Sequence, residues 1–269
     1  MKKSFIITAL LLSVAFSHQA FGWGRDVHAT IAYIAERHLT PTAKANIEAC
    51  IDGHSIVYYA SYMDNHRLEI PLRHSSYNDP ETGRPVGDGI AQISSTIDKL
   101  ANYRELPDSA LKKTIYHLVH VMGDFHCPGH TYFLHNDESG TPVKQNTHYD
   151  VVYIDGKVMS YHTVWDTNVI RHFHSSYGYM DFAHSLDRGL SEEYINKVTS
   201  GNIEEWLTEV CAASRCIYEA APRKPKGTPK EELSHLTLDQ LQELNALANE
   251  YIIKAGLRMA KVINDSFGK

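Results

Sequence analysis

The stretch from His117 to His130 reads H-L-V-H-V-M-G-D-F-H-C-P-G-H. His120 and Asp124 are four residues apart in it. On a helix, residues four apart lie on one face, so an imidazole and a carboxylate are presented to the same point. That is the spacing of a metal-ligand pair. Gly123 leaves room for close approach, and Cys127-Pro128-Gly129 stops the helix and swings His130 back toward the same place. The spacing recurs at His162 and Asp166 in Y-H-T-V-W-D, and His28, Asp64 and His74 offer further donors. Together these residues point to a site for several metal ions.

Such side chains need a scaffold, and the apolar pattern supplies a helical one. Val27, Ile31, Ile34 and Ala35 recur at helical spacing over residues 26–36, and Thr40-Pro41 opens a second helix that runs through Cys50. Residues 56–67, aromatic and small, read as a buried helix carrying Asp64. After a Pro, Gly and Asp-rich loop over 78–89, Ile93, Ile97 and Leu100 form the stripe of an amphipathic helix over 90–103, and 109–124 is the next helix. Residues 134–157 form a long loop whose weak alternation over 149–154 predicts a short hairpin. Helical patterning returns over 165–172, 192–198 and 203–220, then a charged Pro/Gly linker spans 222–230. The last helix is predicted from about Thr237 to Ile263, with Leu241, Leu244, Leu247, Ile252, Ala255, Met259 and Val262 turned inward. The expectation is an all-α, single multi-helix domain with one short β-hairpin.

The ends and the composition narrow the setting. Residues 1–22 carry Lys2-Lys3, an apolar run from Phe5 to Phe16 and small residues at Ala20 and Gly22, the layout of a secretory signal peptide. The run is shorter than the ~20 residues a spanning helix needs, so the mature form carries no membrane anchor. Residues 23–269 then form one domain. A net charge of −6 argues against a broad basic footprint for nucleic acid. The 17 histidines weigh more, because neutral imidazole is the commonest metal ligand. Four cysteines in an exported chain are compatible with two disulfides in any of three connectivities. Cys211 and Cys216 fall on different sides of a continuous helix, and Cys127 reads as structural. His117, His126 and His135 read as surface or supporting groups rather than ligands.

The ordered set of motifs resembles the secreted zinc-dependent nucleases of the S1/P1 type, in a superfamily shared with bacterial three-zinc phospholipase C. The likeness covers nearly the whole mature chain. It rests on W-G-R-D-V-H, with Trp23 and His28; on Y-M-D-N-H-R, with Asp64; on His74 after a short turn; on H-x-x-x-D-x-x-x-x-x-H, with His120, Asp124 and His130; and on H-x-x-x-D, with His162 and Asp166. An Asp at the last position favours nuclease over phospholipase, where Glu is usual.

The resemblance implies three zinc ions per chain: one on Asp64, His74 and His120; one on His130, His162 and Asp166; and one on His28 with the amino group and carbonyl oxygen of Trp23. Asp124 would bridge the first and third, and Asp79 would correspond to the acidic residue that orients the attacking water. Two departures stand out. Ser75 occupies the position of an aromatic residue that stacks on a base in the family, with Tyr77 and Tyr132 as candidates to replace it, and Lys144-Gln145-Asn146 replaces a Gly-Gly-Asn run. The implied activity is hydrolysis of phosphodiester bonds in single-stranded DNA and RNA, together with 3′-nucleotides. The implied setting is a secreted or periplasmic monomer without a standing protein partner. The rival readings are a phospholipase C acting on lipid headgroups and a zinc-binding protein without turnover.

Overall fold

The computed structural model describes residues 23–60, 76–78, 85–131, 133–136, 142–145 and 147–269. The expected signal segment and the predicted site residues Asp64, His74 and Asp79, with Ser75 and Tyr132, lie outside them. The described chain is helical, with strands confined to short ladders.

The amino-terminal helix, Arg25–Arg37, buries Val27, His28, Ile31, Ile34 and Ala35. It lies against the carboxyl-terminal helix, Leu238–Phe267, whose 30 residues span about 45 Å at 1.5 Å per residue. The two can close because residue 256 is glycine: a Cβ there would meet Ile34 Cγ2 at 2.5 Å. The Asn264 side chain accepts from Thr40 N at 2.8 Å and donates to His38 O at 3.0 Å, tying the far end of the long helix to the turn that follows the first. Thr40 then caps Pro41–Cys50 by accepting from Ala43 N, with Pro41 in the first turn as expected.

The central helix, Asp108–Phe125, is buried over its last eight residues, Leu118 to Phe125, on all sides. Such a stretch must sit inside the bundle. Asp88–Ala101 packs beside it, and Ile203–Ala220 begins with a capping box in which Asn202 and Glu205 satisfy each other's backbone amides. Between Ile203–Ala220 and the last helix, Glu209 receives both Lys254 and Arg258, and Arg258 also lies over the Trp206 ring. Among the described residues no helix is long and apolar enough to cross a membrane.

Three antiparallel ladders appear among the described residues: Ser76–Asn78 with Pro85–Gly87, Phe133–Asn136 with Pro142–Gln145, and Asp150–Val152 with Val158–Ser160. The last is the predicted hairpin, and its Val152 is held on the outer side by Ser234 O and Leu236 N. Two expectations are corrected. Tyr179–Asp187 is a helix that the pattern did not announce: Met180 is exposed, and Phe182 and Ala183 are buried as the helix packs on Arg25–Arg37. None of the four cysteines, all among the described residues, is in a disulfide. Ile203–Ala220 is unbroken, which keeps Cys211 and Cys216 on different sides, and Cys127 is sealed in the core.

Candidate metal centre

The site begins where the described chain begins. Trp23 is fully buried, with its ring 6.3 Å from that of Trp165. Gly24 N donates to Asp166 O at 2.9 Å, which fastens the start of the amino-terminal helix to the second motif. One turn later, His28 points into the bundle toward the central helix.

Two histidine–carboxylate groups result. In the first, Asp124 Oδ1 lies 3.1 Å from His28 Nε2 and Oδ2 lies 3.1 Å from His120 Nε2. The two imidazoles stack at 4.8 Å and 12°. Only glycine fits at 123, because a Cβ would stand 2.6 Å from His28 Cε1 and Nδ1. In the second group, His130 Nε2 is 3.4 Å from Asp166 Oδ1, and His162 Nε2 is 3.0 Å from Asp166 Oδ2. Asp166 sits in a single π-helical turn, Val164–Asn168, a distortion frequent at functional sites. His130 Nδ1 lies 3.9 Å from Asp124 Oδ1 and joins the groups into one cluster.

Thr147, which spacing gave no reason to select, fixes one ligand's proton. Its hydroxyl donates to Gly129 O at 2.9 Å and lies 2.8 Å from His162 Nδ1. A hydroxyl has one proton to give, so Nδ1 is the donor and carries hydrogen. In the neutral imidazole Nε2 is then the free donor atom, 3.0 Å from Asp166 Oδ2, and a cation between the two would satisfy both.

The electrostatics agree. Burial opposes ionisation of Asp124, yet the His120 charge and hydrogen bonds from His120 and His28 hold its pKa well below the usual carboxylate value. Asp166 is lowered against the same burial by the adjacent His130 and His162 imidazoles. Burial lowers His28 and favours its neutral form, the form that coordinates. Both ring nitrogens of His28 and both carboxylate oxygens of Asp166 are sealed from solvent, and what the carboxylate faces is imidazole nitrogen. Imidazoles and ionised carboxylates buried in this way fit divalent cations, and zinc accepts this nitrogen and oxygen set.

Cys127, set aside as structural from sequence, places its sulfur within 4.8 Å of donor atoms of His130 and Asp166. Burial pushes the thiol pKa far up, the charges of Asp166 and Asp124 add to this, and the sulfur accepts the Gly129 and His130 amides. It therefore acts as a protonated cap of the Pro128–His130 turn. His126 is buried, lies 2.8 Å from Met122 O through Nδ1, and is held neutral by burial. His117 bonds Thr96 and Gln92. Neither joins the cluster.

The S1/P1 Nuclease family model matches residues 23–268. The chain is 22% identical over 279 residues to Nuclease S1 of Aspergillus oryzae, covering 92% of this chain and 93% of that one. It is 23% identical over 274 residues to Nuclease P1 of Penicillium citrinum, at 91% and 98% coverage. A plant relative, Endonuclease 2 of Arabidopsis thaliana, is 22% identical over 300 residues, at 98% and 96% coverage.

Proposed function

The chain belongs to the S1/P1 nuclease family and is therefore a nuclease, and from that premise we propose that it is a zinc-dependent endonuclease cutting single-stranded DNA and RNA and acting on 3′-nucleotides. The observation that carries this reading is Asp124, a buried carboxylate whose two oxygens each meet a different buried imidazole at 3.1 Å. A carboxylate so placed can hold two cations at once.

Three zinc ions per chain are proposed. His130, His162 and Asp166 hold one; Asp64, His74 and His120 hold another; His28 and the Trp23 amine and carbonyl hold the third, with Asp124 shared between the last two. When bound, zinc supplies a Lewis acid for the phosphoryl oxygens and a nucleophile from water at neutral pH. The protein's part is positional. Stacked imidazoles fix the ligand planes, Thr147 sets the His162 tautomer, and Gly123 lets two helices meet at Asp124. Asp79 is proposed to orient the attacking water. Residues 1–22 are proposed to be a cleaved signal peptide, so that a monomer acts in the periplasm or outside the cell.

The test is metal analysis of the mature chain paired with hydrolysis assays. Three equivalents of zinc, and acid-soluble nucleotides from denatured DNA and RNA in excess over duplex, are expected, with activity lost to a chelator and restored by zinc. Hydrolysis of a phosphatidylcholine emulsion without nucleic acid cleavage would establish the phospholipase reading. Full zinc occupancy with no turnover on any of these would establish a binding protein.

A further inference from the structure

The second histidine–carboxylate group has a neighbour that the proposed zinc ligation leaves unused. The His148 ring lies 4.4 Å from the His162 ring at 37°, and His162 also stacks on His130 at 5.0 Å and 16°. His130 and His162 are nearly sealed, with 8% and 6% of their side chains exposed, whereas His148 is exposed. His148 belongs to neither group of donor atoms that close on one another among the described residues. It meets a proposed ligand ring to ring.

The backbone holds it there. Thr147 and Tyr149, on either side, are both buried. Thr147 O accepts from Tyr149 N at 2.9 Å, which closes a three-residue turn with His148 at its apex, and it also accepts from His162 N at 3.0 Å. Tyr149 O accepts from Tyr161 N at 2.8 Å, and the Tyr149 hydroxyl donates to Ala221 O at 2.6 Å. Both flanking residues are thus tied to the segment that carries His162. A ring on so fixed a backbone loses little freedom when a second ring lies on it.

Aromatic rings beside a backbone-binding groove serve as platforms for unstacked bases, because every base has a π-face and stacking needs no net charge. That suits a chain of net charge −6. His162 Nε2 faces Asp166 Oδ2 at 3.0 Å, the place proposed for one zinc ion. Zinc sits ~2 Å from an imidazole nitrogen, so a phosphate on that ion lies within one nucleotide's reach of the His148 ring.

We propose that His148 is a specificity-determining residue of this site, the platform on which the base next to the scissile phosphate stacks. Two fused rings cover an imidazole better than one, so the platform favours a purine there. The proposal rests on the nuclease reading above and deepens it: a base paired in a duplex is not available to stack, and the same contact therefore contributes to single-strand preference.

The experiment uses the mature zinc-loaded enzyme with His148→Ala, His148→Phe and His148→Gln. Phenylalanine keeps a ring and loses the N–H; glutamine keeps a donor and loses the ring. The substrates are short single strands with one phosphodiester among methylphosphonate linkages, flanked on either side by a purine, a pyrimidine or an abasic sugar. The parent should lose about tenfold in kcat/KM when the base on one side is removed, the size of one stacking contact, and should prefer purine to pyrimidine there by about threefold. His148→Ala and His148→Gln should lose about tenfold on base-bearing strands, lose the purine preference and show no further loss on the abasic strand, while His148→Phe stays within about twofold of the parent throughout. Parental rates on base-bearing strands in His148→Ala, a loss equal on base-bearing and abasic strands, or rescue by glutamine and not by phenylalanine overturns the proposal. A fall in zinc content that accounts for the fall in rate also overturns it, since His148 would then only prop His162. Fluorescence anisotropy of labelled strands whose scissile linkage is itself a methylphosphonate separates the two ideas. If the parent cleaves no nucleic acid, yet binds the base-bearing strand ahead of the abasic one and loses that difference in His148→Ala, the platform stands and the nuclease reading falls. Cleavage without any such difference leaves the nuclease reading standing and removes the platform; neither cleavage nor binding removes both.

Discussion

Replacing Thr147 by valine removes one hydroxyl and keeps the shape. Thr147 is fully buried, so water cannot replace what is lost. Gly129 O loses its donor, and the His162 Nδ1 proton loses its acceptor. The backbone links should survive, since Thr147 O still accepts from His162 N at 3.0 Å and from Tyr149 N at 2.9 Å. Leaving a buried polar group unsatisfied costs about 1–3 kcal/mol. Two such groups, with the imidazole free to shift its proton, put the loss of metal-free stability at about 2–4 kcal/mol. A freed tautomer presents its lone pair to Asp166 only part of the time, and loss of such a partner typically weakens metal binding by about 10–100-fold. The assay is a zinc titration of the metal-stripped protein against a chromogenic chelator, together with its thermal melt. One class of zinc site should weaken by that factor and the remainder stay unchanged, and Thr147→Ser should restore both readouts. Thr147→Val with wild-type affinity at every site would refute the tautomer argument, and an unchanged melt would refute the hydrogen-bond accounting.

Three further outcomes are expected. Gly123→Ala should drive the new methyl into the His28 ring, which a Cβ would meet at 2.6 Å, so metal analysis should find at least one zinc fewer and hydrolysis should drop about 100-fold with helical circular dichroism retained; full metal content would show that His28 is not confined as described. Glu209 is penalised by burial but held below its usual pKa by Lys254 and Arg258; its stabilisation is therefore present above the unfolded value near ~4.3 and lost as pH falls through the lower folded value, while Glu209→Gln should cost about 1 kcal/mol at pH 7, because the carboxylate is partly exposed and Lys254 keeps Glu250, and flatten that acid limb in pH-dependent melts. A tag fused directly before Trp23 turns its amine into an amide with no lone pair to coordinate, so the tagged protein should bind one zinc fewer and be nearly inactive; equal activity with the tag intact would rule out the amine as a ligand.

What the sequence alone determined was local. The four-residue spacing of His120 with Asp124 and of His162 with Asp166 follows from helical geometry, and both pairs meet at 3.0–3.1 Å. Helix starts at Thr40-Pro41 and Thr237 follow from capping chemistry, which involves only neighbours along the chain. The Cys127-Pro128-Gly129 stop turned His130 toward the cluster as its residue types require. Tertiary structure alone decided which pairs share a centre. His28 reaches Asp124 from a helix distant in sequence, and that meeting depends on a missing Cβ at Gly123, on the close seat of Ile34 over Gly256, and on Gly24 N bonded to Asp166 O. Thr147 lies in a loop with no periodicity, so nothing in its neighbours announces that its hydroxyl spans Gly129 and His162. The helix Tyr179–Asp187 was illegible for the same reason, being held by packing on Arg25–Arg37 rather than by its own pattern. Periodicity records which face of an element is buried; what that face meets is set by the packing of elements far apart in the chain, where a single absent methyl group decides whether two ligands can touch.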